Sequence, residues 1–141
     1  MENVKLIPLP LFQDQDYGSL VAIEAMQTIP FELERVYYIF GVPTKMSRGF
    51  HSHRELEQLL ICVSGSVSVS LKSPYETSEI ILNDNSIGLY IGPMIWREMA
   101  DFSPDAVLLV LASKHFDEAD YLRDFNAYLS AAKEYFGEEK G

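Results

Sequence analysis

Two histidines separated by one serine, His51 and His53 in RGFHSHRELEQ, are the residues whose type and spacing most directly offer chemistry. If the stretch is extended, side chains two apart share a face and both imidazoles converge on one place. Three readings follow. With Glu57 four residues on, HxHxxxE supplies two nitrogens and a carboxylate, a donor set that can surround one ion in a β-barrel. Alternatively, one imidazole serves as a general base, because its ordinary pKa of about 6.5 lets it accept and return a proton near neutrality. The third reading is a pair of exposed or hydrogen-bonded histidines without function. Arg35, Tyr37, Tyr38 and Arg48 on or beside neighbouring elements weigh against it, since several ionisable groups together describe a lined pocket. Strict alternation puts Arg48 on the face opposite the histidines unless the strand begins after Gly49. Trp96 is a ring for stacking on a base or else a core plug. Cys62, in the apolar run LLICV, is expected to fill core, and His115 is given no role.

The elements that must hold these residues read as strands. VKLIPL, GSLVAIEA, ERVYYIF, EQLLICVSG, SVSVSLKS, SEIILND, IGLYIGP and AVLLVLAS recur with Gly, Pro, Asn and Asp between them, the pattern of an all-β sandwich or barrel. SVSVSL alternates strictly, with Val67, Val69 and Leu71 on one face. PYETSE and LNDNS carry turn chemistry, and GVPTKMS is a longer loop. After Ser113 the texture changes: Tyr121, Leu122, Phe125, Tyr128, Leu129, Ala132 and Phe136 recur at helical steps, predicting a C-terminal amphipathic helix capped by Asp117 or Asp120 and stopped at Gly137. Only the closing EEKG is expected to fray.

The chain has 141 residues, of which 48% are hydrophobic and 23% charged, so one soluble globular domain over residues 1–141 is expected. No apolar run approaches the roughly 20 residues of a membrane helix. Eleven Lys and Arg against 21 Asp and Glu leave a net charge of −10, which argues against nucleic acid as a partner, although local arginines can still hold a small phosphate-bearing ligand. The single cysteine forms no internal disulfide, and the opening residues do not read as a secretory signal, so a cytoplasmic address is expected.

RGFHSHRELEQ with Gly65 beyond it resembles the first cupin motif, and GLYIGPMIWREM the second. Where metal-binding cupins usually supply another histidine, this chain has Arg97, whose permanent charge would repel a cation. The longer stretches DYGSLVAIE, IPFELERVYYIF, RGFHSHRELEQLLICVSGSV, GLYIGPMIWREM and LASKHFDEADYLRDF resemble, in order, the nucleotide-sugar 3,4-ketoisomerases. That resemblance implies a cupin-like β-barrel or jelly roll, a dTDP-linked 4-oxo-6-deoxy sugar as ligand, a homodimer with exchanged N-terminal strands, and no required metal or organic cofactor. It further implies His51 as proton carrier with His53 and Tyr37 supporting it, and Tyr17, Arg35, Arg48 and Arg97 as substrate-binding residues.

Within that family the galacto-forming enzymes resemble one another in carrying Arg where this chain has Tyr17 and His where it has Arg97. The gluco-forming enzymes carry Tyr and Arg, as here, although GSLVAIE resembles the galacto branch. The expected product is dTDP-3-oxo-6-deoxy-D-glucose, with both side chains touching the sugar. A metal-dependent cupin enzyme and a non-catalytic sugar-binding cupin remain as rival classes.

Overall fold

Alternation and turn chemistry produce a β-protein in the computed structural model, which describes residues 1–139. In chain order the elements are β1 (Val4–Pro8), β2 (Leu11–Asp14), β3 (Gly18–Val21), β4 (Arg35–Phe40), β5 (Arg48–His53), β6 (Gln58–Ser64), β7 (Val67–Lys72), β8 (Thr77–Leu82), β9 (Ile87–Ile91), β10 (Trp96–Ala100) and β11 (Val107–Ala112). A 3-10 turn (Glu118–Asp120), β12 (Tyr121–Leu122) and α1 (Phe125–Phe136) follow. One sheet runs β1-β9-β6-β11-β4 and the other β12-β5-β10-β7-β8, with β2-β3 as a separate hairpin. Sequence-distant neighbours within two facing sheets make the jelly-roll barrel.

The two inner faces meet in a core of Leu60, Cys62, Val67, Val69, Leu71, Leu89, Ile91, Met99, Leu108 and Val110. Val67, Val69 and Leu71 face it from β7 as their alternation requires. The run LLIC does not alternate, because β6 is covered on both sides. Leu60 and Cys62 join the main core, while Leu59 and Ile61 pack outward with Leu9, Ile29, Phe31 and Leu111.

The C-terminal helix exists but begins later than its periodicity suggests. Asp124 is its N-cap, its carboxylate accepting the Ala127 N–H at 2.9 Å, and Gly137 ends it with φ 78°. Asp117 instead caps the 3-10 turn through the Ala119 N–H at 3.0 Å. Asp120 accepts the N–H groups of Glu55 (2.9 Å) and Leu56 (3.2 Å). Tyr121 and Leu122 therefore do not open the helix; they pair with His53 and Ser52 at the edge of β5. The helix buries Tyr128 and Ala132 against Met94, Trp96 and Leu122 on the outside of the second sheet. Among the described residues no helix is long and apolar enough to cross a membrane. Lys140 and Gly141 of the closing EEKG lie outside the described residues.

Candidate active site

A bulge in β5 assembles the site. Arg97 on β10 pairs with His51, yet the next partners are Glu98 with Gly49 and Met99 with Arg48, so β5 carries one extra residue, Phe50. Gly49 has φ 96° and Phe50 φ 59°. A side chain at Gly49 would put its Cβ 2.9 Å from the Arg97 carbonyl oxygen, which is why the close approach needs glycine. The extra residue reverses the alternation, and Arg48 comes onto the face of His51. Strict period-two reasoning placed it opposite, and the bulge corrects that.

On this face a cleft of about 580 Å³ is lined by Arg35, Tyr37, Arg48, His51, Tyr121 and Arg123, among others. β4 supplies Arg35 and Tyr37 from its inward positions, whereas Tyr38 is 62% exposed on the outer face and takes no part. The His51 and His53 rings stand 4.8 Å apart at 88°, and the Tyr121 ring lies 5.0 Å from the first and 4.3 Å from the second. Burial, and then the Arg97 charge, bring the His51 pKa down to about 4. His53 is held neutral still more firmly by burial and then by Arg97. Its Nδ1 is 3.4 Å from Asp120 Oδ2, but the alignment is too poor for a hydrogen bond, and both ring nitrogens lack partners. Asp120 accepts instead from two backbone donors, the N–H groups of Glu55 and Leu56.

Arg97 is 1% exposed and does not line the cleft. It donates from Nη1 to Gln58 Oε1 and from Nη2 to the Ile95 carbonyl at 3.1 Å, and burial lowers its pKa to about 10, which leaves it charged at neutrality. Gln58 in turn donates from Nε2 to the Tyr37 hydroxyl at 3.1 Å, and burial raises the Tyr37 pKa. The Arg35 guanidinium sits 5.2 Å from the Tyr37 ring centroid. Arg123 pairs with Glu118 at 2.7 Å and lies 4.2 Å from the Tyr121 ring centroid. Among the described residues Arg35, Arg48 and Arg97 have no carboxylate partner, so an acidic protein presents a locally cationic cleft suited to a diphosphate.

Four of the residues singled out in the sequence, Glu57, Trp96, Tyr17 and Arg97, do not line the cleft. Glu57 does not join the histidines, because its carboxylate accepts the Tyr90 hydroxyl at 2.6 Å, so the HxHxxxE set is not assembled. Among the described residues no three His, Cys, Asp or Glu gather as a metal site. Trp96 cannot stack on a base: it is covered by Phe125 and Tyr128 of the helix and donates to Glu98 at 2.9 Å. Tyr17 is 92% exposed at the tip of the β2-β3 hairpin, where Asp14 accepts its N–H at 2.9 Å, and it does not line the cleft. Within one chain neither Tyr17 nor the buried Arg97 lines the cleft. Gln58, Asp120, Tyr121 and Arg123 were missed; Tyr121 was hidden by a helical period it shares by chance, and Gln58 by the apolar run it opens.

The family described as FdtA, WxcM-like, C-terminal matches residues 2–133. A TDP-4-oxo-6-deoxy-alpha-D-glucose-3,4-oxoisomerase from Aneurinibacillus thermoaerophilus is 50% identical over 111 residues, 79% of this chain and 80% of its own length. A 3,4-ketoisomerase from Thermoanaerobacterium thermosaccharolyticum, solved as a histidine-to-asparagine variant with TDP-4-keto-6-deoxyglucose, is 50% identical with a TM-score of 0.95, covering 98% of this chain and 99% of that one. That enzyme was also solved with TDP as a paired Tyr-to-Arg and Arg-to-His variant. A TDP-quinovose 3,4-ketoisomerase from Campylobacter jejuni is 45% identical with a TM-score of 0.89, covering 92% of this chain and 99% of that one. The TDP-fucose 3,4-ketoisomerase of the same organism is 28% identical with a TM-score of 0.88, over 95% and 98%.

Proposed function

The chain belongs to the FdtA, WxcM-like C-terminal family and is a TDP-sugar 3,4-ketoisomerase, and we propose that it moves the keto group of dTDP-4-oxo-6-deoxy-D-glucose from C4 to C3 with His51 as proton carrier. The observation that carries this reading is an uncharged imidazole facing a cleft walled by Arg35, Arg48 and Tyr37. His51 takes the C3 hydrogen, which is acidified by the adjacent C4 carbonyl. The C–H electron pair forms the C3–C4 double bond, and the carbonyl pair moves to O4. Tyr37 donates to the enediolate as charge develops on O4. Return of the proton to C4, with the O3 hydrogen passing to O4, leaves the ketone at C3 and a hydroxyl at C4. C3 is oxidised and C4 reduced, so proton transfer alone completes the balance. A pKa of about 4 makes a weak base in the empty cleft; the diphosphate brings negative charge that offsets Arg97 and raises the imidazole's basicity. A His-to-Asn variant of a relative crystallised with the keto sugar is consistent with loss of a proton carrier.

The product in this reading has the gluco configuration. The Tyr17 and Arg97 pair supports it, as does 45% identity to the TDP-quinovose enzyme against 28% to the TDP-fucose enzyme. Tyr17 reaches a cleft through a homodimer. The hairpin carries exposed Leu11, Phe12 and Leu20, and the unpaired edge of β4, beside the cleft, carries exposed Val36, Tyr38 and Phe40. Exchange of N-terminal strands covers both apolar surfaces and lays the Tyr17 of one protomer over its partner's cleft. Arg97 then acts through neighbouring protein groups, His51 and Gln58, rather than by touching the sugar.

The test is incubation with dTDP-4-oxo-6-deoxy-D-glucose in deuterated water, followed by NMR. Solvent deuterium exchanging with the C3 hydrogen, and a C3 ketone whose C4 couplings show an equatorial oxygen, are expected. Binding without exchange would leave a sugar-binding cupin, and an axial C4 oxygen would overturn the gluco assignment alone.

A further inference from the structure

We propose that Gln58 is a positioning residue that locks the Tyr37 phenol as a hydrogen-bond donor pointed at the reacting sugar, an inference that rests on the ketoisomerase reading above. Gln58 opens β6, the central strand of the first sheet, and is 2% exposed. It pairs with Ala112 of β11, two residues from Val110, the partner of Tyr37, so the two side chains share the inner face. A buried amide is costly unless both of its ends are satisfied.

Here the ends are not interchangeable. Arg97 donates to one of them, and a guanidinium has no acceptor, so that end is the amide oxygen. The other end is the NH2 group, 3.1 Å from the Tyr37 oxygen. An NH2 group only donates. The phenol oxygen must accept, and its single proton has to point elsewhere. Among the described residues the Tyr37 hydroxyl donates to no protein acceptor, and Tyr37 lines the cleft shared with His51 and Arg48. Arg97, Gln58 and Tyr37 therefore form a chain of donors running one way, from a buried cation to the cleft, where the developing O4 charge receives the last proton. Gln58 does not line the cleft and acts only through Tyr37.

The test compares Gln58→Glu, Gln58→Met and Tyr37→Phe, each alone and each Gln58 change combined with Tyr37→Phe, with kcat and KM read on the pH plateau, C3 deuterium exchange as the sensitive readout, and thermal unfolding as the stability measure. A carboxylate at 58 accepts from both Arg97 and Tyr37 and turns the phenol proton inward. Gln58→Glu should then lose about 10²-fold in kcat, as for one oxyanion donor removed, with KM little changed. Gln58→Met frees the phenol to rotate and leaves Arg97 without its acceptor, so it should lose less kcat and more stability than the Glu variant. A merely structural role predicts the reverse ranking in kcat, because Met orphans a buried charge and Glu neutralises it. In the Tyr37→Phe background neither Gln58 change should cost further turnover. Near wild-type kcat for Gln58→Glu, or losses that multiply with Tyr37→Phe, would overturn the proposal. Should one Gln58 variant not fold, the double-mutant cycle with the other still separates additive from non-additive losses and so decides for or against the coupling. Failure of the ketoisomerase reading looks different: the unmodified enzyme would show no C3 exchange at all.

Discussion

Removing the charge of Arg97 should move the acid limb of kcat/KM to higher pH. The His51 pKa stands at about 4 in the free protein, where burial is the larger cause and the neighbouring Arg97 the second. Since kcat/KM reports the free enzyme, turnover of the unmodified chain should survive acidification far better than an ordinary imidazole allows. At pH 5.5 a group of pKa about 4 is about 97% neutral, and one of pKa about 6.5 only about 9%. The diphosphate diester of the substrate does not titrate in this range, so the limb belongs to the protein. Arg97 repels the imidazolium; Arg97→Gln removes that repulsion while keeping a donor for Gln58, so the proton binds more tightly and the limb rises. Arg97 is the second cause after burial, and burial remains in the variant, so the limb should rise from about 4 but stop short of about 6.5. The assay is initial rate at low substrate from about pH 3.5 to 8, with circular dichroism confirming the folded state at each pH. A wild-type limb near 6.5, or a limb that stays put or falls in Arg97→Gln, would refute the reasoning.

His51→Asn should cost about 10²–10⁴-fold in turnover with the fold intact, as expected for a positioned general base. His53→Asn should cost less, and a reversed ranking, read from steady-state rates, would exchange their roles. Stability should fall on acidification. Both imidazoles are depressed in the folded state, so below pH about 6.5 the unfolded chain takes up protons that the native chain refuses, at about 1.4 kcal/mol per pH unit per group and about 2.7 for both. The His51 share continues down to pH about 4, where the native imidazole also protonates. Urea midpoints should show this slope, and His53→Asn should remove its half; a flat profile would contradict the burial argument. Tyr17→Arg combined with Arg97→His should shift product toward galacto, seen as an axial oxygen in the C4 couplings, and unchanged stereochemistry would detach the pair from product choice.

Much of the scaffold was legible in the chain because it depends on local periods. SVSVSL needed only alternation to place Val67, Val69 and Leu71 inward, and HSH only the two-residue repeat to bring both imidazoles to one face. Local chemistry also determined the helix stop at Gly137 and the burial of Cys62. What tertiary structure alone decided are pairings with distant partners. Arg48 joined His51 because β10 accepts a bulge at Gly49 and Phe50, a register choice made between two strands. Tyr121 left an expected helix because Asp120 was taken by the backbone of Glu55 and Leu56 and the edge of β5 needed a strand. Gln58 gained its role because Arg97 and Tyr37, from β10 and β4, met it inside the barrel, where buried donors must find acceptors. A period belongs to one strand and can be read along it, whereas satisfying a buried polar group requires neighbours from other strands, whose identity only the folded chain supplies.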